Sequence, residues 1–137
     1  MMERTFAFIK PDAVASHHAG DIISCIERNK FNIVGMKKMQ LTKEQGETFY
    51  AVHKEKPFFN ELVAHITSGP VIALVLEKEN AIKEWRELMG ATDCCKAAAG
   101  TLRRMFAKNI TCNAVHGSDA PETARAEIAF IFPELSK

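Results

Sequence analysis

Six consecutive apolar residues, Val71-Ile72-Ala73-Leu74-Val75-Leu76, constrain this chain more than any other stretch. The run is far shorter than the ~18 residues a membrane-spanning helix needs, so it reads as a buried central strand. Thr67-Ser68-Gly69-Pro70 breaks the chain just before it. A second run, Thr5 to Ile9, alternates Phe6 and Phe8 against Ala7 and Ile9 and ends at Lys10-Pro11-Asp12. It is expected to be a strand buried on both faces.

Between and after these strands the apolar spacing turns helical. Ala19, Ile22, Ile23 and Ile26 predict a first amphipathic helix ending near Asn29. Asn32 to Leu41 reads as a strand with Ile33, Met39 and Leu41 on one face, and Thr42-Lys43-Glu44-Gln45 matches a capping box that starts a new helix. Pro57 opens another helical stretch with Phe59, Leu62, Val63 and Ile66 as its stripe. A third amphipathic helix turns Ile82, Trp85, Leu88 and Met89 inward and stops at Gly90. From Ala91 to Ile110 the pattern is irregular, apart from a helical piece at Thr101 to Phe106. A short strand at Asn113 to His116 precedes Gly117, and Pro121 suits a helix start running to about Phe132. The order is β-α-β-α-β-α-β, with a helical insertion between the second and third strands. A split β-α-β sheet with helices on one face fits that order.

With 137 residues and neither repeat nor linker, residues 1–137 are expected to form one domain. A domain this size buries roughly two thirds of its unfolded surface and needs no metal or disulfide staple. The 18 basic and 17 acidic side chains leave a net charge of +1, which gives no overall pull toward nucleic acid or anionic lipid. The start lacks a signal-peptide core, and Cys25, Cys94, Cys95 and Cys112 show no C-x-x-C spacing. A cytoplasmic protein with reduced thiols is the expectation.

The strongest local chemistry is Asn113-Ala114-Val115-His116-Gly117-Ser118-Asp119. A strand-end histidine before glycine can reach a cleft, and neutral imidazole is a good nucleophile toward phosphorus near pH 7. Ser118 and Glu127 are positioned to orient it, because a helix after Asp119 turns Glu127 back toward the strand end. Spacing equally admits a polar strand-end residue with Ser118-Asp119 as a mere helix cap. His17, His18, His53 and His65 lack a second ligand at metal spacing. No G-x-x-x-x-G-K-[ST] or G-x-G-x-x-G loop is present, so any phosphate must be gripped by side chains. Arg86, Thr92, Arg103 and Lys10 lie at element ends or in the irregular segment. Guanidinium groups match phosphate oxygens in pairs, although most arginines are simply solvated. Phe58 is a candidate platform for a base, while Phe59 belongs to the core.

Those residues resemble a known family. The run from Asn113 to Asp119, together with Thr5-Phe6-Ala7-Phe8-Ile9-Lys10-Pro11-Asp12, Gly90-Ala91-Thr92 and Gly100-Thr101-Leu102-Arg103, is similar to the signature of nucleoside diphosphate kinases. The ending Glu127-Ile128-Ala129-Phe130 and the short tail resemble a bacterial-type member. The resemblance implies a ferredoxin-like α/β sandwich, a four-stranded antiparallel sheet covered by helices. It also implies a ping-pong reaction in which a nucleoside triphosphate, mainly ATP, gives its γ-phosphate to His116 and a nucleoside diphosphate collects it. Lys10 and Asn113 would contact ribose hydroxyls and phosphates; Arg86, Thr92 and Arg103 would hold phosphates; Phe58 and Ile110 would sandwich the base. Tyr50, Ser118 and Glu127 would buttress the histidine. Mg²⁺ would be held mainly by the nucleotide phosphates rather than by protein side chains.

After Gly90-Ala91-Thr92 the family usually continues Asn-Pro, where this chain has Asp93-Cys94, and a usual proline before Gly100 is replaced by Ala99. Each lost proline costs about 0.4–1 kcal/mol where the backbone geometry was compatible. The loop helps pack subunits in relatives; a homotetramer is expected, with a homohexamer as the alternative. Two other classes compete: a single-strand nucleic-acid module and a catalytically silent scaffold on the same fold. The charge balance and the missing interleaved basic–aromatic run oppose the first, and the complete residue set opposes the second.

Overall fold

The computed structural model describes residues 2–109 and 112–135. Strands β1 (Met2–Ile9), β2 (Asn32–Met39), β3 (Val71–Glu79) and β4 (Val115–Gly117) form one antiparallel sheet in the order β2-β3-β1-β4. Helices α1 (Pro11–Ala15), α2 (Ala19–Arg28), α3 (Lys43–Phe49), α4 (Phe59–Ile66), α5 (Ala81–Met89), α6 (Leu102–Phe106) and α7 (Pro121–Ile131) connect and cover it. This is the ferredoxin-like α/β sandwich. None of these helices is long and apolar enough to cross a membrane.

The two most apolar strands are central because only a central strand has both faces and both edges covered. Phe6, Ala7, Phe8 and Ile9 are fully buried, as are Ala73, Leu74, Val75 and Leu76. Their register sets Phe6 opposite Val75 and Phe8 opposite Ala73, so alternate residues feed two separate cores. One core joins Ala7, Ile9, Leu74 and Leu76 to Ile22 and Ile26 of α2, Trp85 and Met89 of α5, and Leu102 of α6. The other joins Phe6, Phe8, Ala73 and Val75 to Val63 and Ile66 of α4 and to Ile128 and Ile131 of α7.

That second core corrects the expectation of helices on one face. The insertion α3–α4 and the helix α7 close the opposite face, which otherwise would expose Phe6 and Phe8. A second correction concerns β2. Its pairing with β3 shifts between Ile33 and Gly35, a bulge that reverses the in–out alternation. Ile33 therefore packs in the α2–α5 core, whereas Met39 and Leu41 pack in the other.

Local signals mostly mark the helix ends. The Thr42 hydroxyl accepts from the Gln45 N–H at 3.1 Å, and the Gln45 side chain accepts from the Thr42 N–H at 2.9 Å, completing the capping box. Gly90 ends α5 with φ +84°, a conformation that glycine adopts without a Cβ penalty. The start of α5 is capped instead by a distant partner: Glu3 Oε1 accepts from the Ile82 N–H at 2.9 Å. Ser118-Asp119 is not a cap, since α7 begins after Ala120 with no side-chain capping bond.

Candidate active site

β4 is only three residues long, so its place depends on anchors around it. Phe8 pairs with His116 in the sheet, and the Ser118 N–H donates to the Phe6 carbonyl at 3.2 Å. On the α5 side, Trp85 Nε1–H donates to the His116 carbonyl at 3.2 Å. Gly117 permits this approach, since a Cβ there would stand 2.4 Å from Trp85 Cδ1.

The turn before β4 is held by the Lys10-Pro11-Asp12 corner. Ala114 has φ +73°, a left-handed conformation costing an alanine roughly 1–2 kcal/mol. Its N–H donates to Asp12 Oδ2 at 3.1 Å, and its carbonyl accepts from the Lys10 N–H at 2.8 Å. Asp12 Oδ1 in turn meets His65 Nε2 of α4 at 2.9 Å. Burial pushes the Asp12 carboxyl up, but the His65 hydrogen bond and charge, with the backbone N–H groups, hold it below its ordinary value. Sequence reasoning missed this pair; nothing in the spacing of positions 12 and 65 announces a contact made across the fold.

The imidazole of His116 sits among aromatic rings, with Phe49 at 5.0 Å and Tyr50 at 6.4 Å between centroids. Its Nε2 lies 3.3 Å from both carboxylate oxygens of Glu127. The Ser118 hydroxyl donates to Glu127 Oε1 at 2.6 Å, fixing that carboxylate from behind. Tyr50 is 5% exposed, and burial with the nearby Glu127 charge raises its phenol above its ordinary value, against an opposing pull from Arg103.

His116 opens into a cleft of about 560 Å³ lined also by Lys10, Tyr50, Arg86, Thr92, Arg103, Asn113 and Glu127. Eight of the expected residues thus converge from well-separated parts of the chain, and Ser118 stands buried behind them. Phe58 is not in the lining. It is 41% exposed, and its ring lies 5.6 Å from that of His53, itself a lining residue, tilted by 59°. Ile110 lies outside the described residues. The lining adds Asp119 and Thr123, which the reading of the motif as a cap had obscured. A larger groove of about 710 Å³ between β1 and α7 is lined by Glu3, Arg4, Asn80 and Arg125 but by no histidine or cysteine.

Lys10, Arg86 and Arg103 bring three cations into this cleft against the carboxylates of Asp119 and Glu127. Arg103 is 9% exposed; its Nη1 and Nη2 donate to the Gly90 and Val115 carbonyls at 3.1 and 2.9 Å, while buried Nε has no partner among the described residues. Burial, then repulsion by Arg86, lowers its pKa to about 10. Lys10 is pushed down to about 8 by burial and then by Arg103, with Asp12 and Cys112 opposing. Buried cations that repel one another are stabilised by a polyanion. For a divalent ion, Asp119 is the available lining carboxylate, since Glu127 already serves Ser118 and His116. One hard oxygen donor beside a polyphosphate suits Mg²⁺, which is usually held by a few carboxylates and the substrate's phosphates.

A ferredoxin-like sandwich carrying an oriented histidine in a cationic cleft defines a phosphotransferase-type site. Comparison with known proteins agrees. The family described as nucleoside diphosphate kinase matches residues 3–136. The chain is 59% identical to the nucleoside diphosphate kinase of Pelobacter propionicus over 134 residues, 98% of each chain. It is 58% identical to that of a Geobacter species, with the same coverage. Among solved structures, the nucleoside diphosphate kinase of Aquifex aeolicus superposes with a TM-score of 0.96 at 43% identity, covering 99% of both chains. A Halobacterium salinarum nucleoside diphosphate kinase in complex with CDP superposes with a TM-score of 0.92 at 42% identity, covering 96% of this chain and 88% of that one. The chain belongs to the nucleoside diphosphate kinase family.

Proposed function

We propose that this protein transfers the γ-phosphate of a nucleoside triphosphate, mainly ATP, to a nucleoside diphosphate through a phosphohistidine at His116. The observation that carries the reading is the Ser118–Glu127–His116 relay, with 2.6 Å and 3.3 Å contacts. Glu127 accepts from Nε2–H, and that tautomer leaves the lone pair on Nδ1. Nδ1 attacks the γ-phosphorus, and the bond to the bridging oxygen breaks with its electron pair leaving on the diphosphate. The phosphorylated ring keeps its Nε2 proton, and the Glu127 carboxylate offsets the positive charge that develops there. A second diphosphate reverses the step with its terminal oxygen.

Arg86, Arg103 and Thr92 hold the phosphates in line, Lys10 neutralises them as a point charge, and Asn113 with Lys10 meets the ribose hydroxyls. Tyr50 keeps water from the back of the imidazole. Mg²⁺, held mainly by the phosphates beside Asp119, supplies further neutralisation when bound. Phe58, with Ile110, stacks the base on a face that all bases share, so base selectivity is low. The working form is a cytoplasmic homotetramer, with a homohexamer as the alternative; a sedimentation mass near that of one chain excludes both. No membrane or dedicated nucleic-acid partner is required.

The test mixes the protein with γ-labelled ATP and Mg²⁺ but no acceptor. An acid-labile, base-stable protein adduct is expected, discharged by GDP and absent in His116→Ala. No adduct sinks the reading, and salt-sensitive oligonucleotide binding in its place would favour a nucleic-acid module.

A further inference from the structure

Immediately after Thr92, three consecutive side chains point one donor atom each into a shared space. A carboxylate oxygen of Asp93 and the sulfurs of Cys94 and Cys95 all lie within 4.8 Å of one another. No other group of three such residues among those described has that spacing. None of the three lines the cleft of His116.

The cluster is held in shape by its own turn. The Cys95 N–H donates to Asp93 Oδ1 at 3.0 Å, and the Lys96 and Ala97 N–H groups close the turn on the Asp93 and Cys94 carbonyls at 2.9 and 3.3 Å. From α6, Arg104 Nη1 donates to the Cys94 and Cys95 carbonyls at 3.5 and 3.3 Å. Cys94 and Asp93 crowd Cys95 and raise its thiol above its ordinary value, with Arg104 opposing.

We propose that Asp93, Cys94 and Cys95 bind a soft, thiophilic divalent cation of the zinc or cadmium type. Two sulfurs and one carboxylate oxygen make three ligands of a tetrahedral site, with water as the fourth. Sulfur–metal bonds of about 2.3 Å in tetrahedral geometry bring two sulfurs to roughly 3.8 Å. Closing from the present spacing takes a rotamer adjustment of at most about 1 Å, which a part-exposed turn can make. Both thiols release their protons to solvent as the bonds form, and nothing is oxidised. Thiolate ligands also separate this ion from Mg²⁺, which prefers oxygen.

The full chain, kept reduced by a non-chelating phosphine, is titrated with Cd²⁺ alone while the thiolate-to-cadmium ultraviolet band is followed. The band should saturate at one equivalent and survive excess Mg²⁺. Cys94→Ser and Cys95→Ser should each abolish it, and Asp93→Asn should weaken binding about tenfold. Cys25→Ser and Cys112→Ser should leave it unchanged. In the parental chain, Cd²⁺ should protect Cys94 and Cys95 from alkylation, read by peptide mass. That readout needs no variant to fold. A band that persists without Cys94 and Cys95, requires Cys25 or Cys112, yields to Mg²⁺, or gives no protection overturns the proposal.

Discussion

Two stretches flank the cleft, residues 113–118 and residues 90–101, and they are built in opposite ways. In the first, Asn113, Ala114, Val115 and Ser118 are buried, and the backbone is tied to β1, Asp12 and Trp85. In the second, most residues are exposed, and the hydrogen bonds are short-range turns such as Lys96 to Asp93 and Thr101 to Ala98. The main ties from that loop to the rest run through Arg103 and Arg104 of α6. His116 is therefore fixed by the core, while the opposite wall of the cleft hangs on two guanidinium groups. The transfer proposed above, which needs an aligned attack and a released product, would benefit from that division.

Glycines give the sharpest way to break the comparison. Gly117→Ala places a Cβ against the Trp85 ring. It should cost about 1–3 kcal/mol in denaturant unfolding and lower kcat about a hundredfold by displacing His116. Gly100→Ala meets nothing within 4 Å but sits at φ +87°, so it should cost only its left-handed strain, about 1–2 kcal/mol, with kcat near the parental value. Equal losses of kcat would erase the distinction.

Arg103→Lys probes the tie itself. An ammonium cannot span the Gly90 and Val115 carbonyls and still face the cleft, so steady-state assays should show kcat/KM down about a hundredfold. An effect confined to melting temperature would make Arg103 structural only.

A smaller change is expected at Asp12, behind the fixed wall. Asp12→Asn should lose about 1–3 kcal/mol, because the left-handed Ala114 turn and His65 lose a charged acceptor. Since the folded carboxyl titrates below its ordinary 3.8, this stabilisation is complete above that value and disappears as pH falls through the folded one. The stability gap between the two proteins should close in acid; a gap constant with pH would show that the charge contributes nothing.

Lys10 gives the smallest signal. Its pKa of about 8 lies below the ordinary 10.5, so the unfolded chain binds more protons between those values and stability should rise with pH there. Bound phosphates favour the charged form, so nucleotide binding near pH 8 should take up part of a proton. Calorimetry in buffers of different ionisation enthalpy reads that uptake, and an absence of uptake would remove Lys10 from the phosphate contacts.

Much of this was legible before any fold was known. The runs at 5–9 and 71–76 are apolar on both faces, and that alone requires a layer on each side of the sheet. The one-face arrangement read from element order overlooked that demand, which the insertion α3–α4 and α7 meet. The capping box at Thr42 and the stop at Gly90 were visible because they depend on neighbouring residues. The bulge in β2 was not, since it is set by pairing with β3.

By itself, then, the sequence determined most of the elements, though not α1 or the exact span of β4, together with the strand-end histidine and the resemblance that named its companions. Those follow from local spacing and side-chain chemistry, which a linear chain displays directly. Tertiary structure alone decided that Glu127 reaches Nε2, that Asp12 and His65 hold the turn before β4, and that the buried Lys10 and Arg103 share one cleft. Such contacts, and the charge perturbations they cause, exist only when residues far apart in the chain exclude water together.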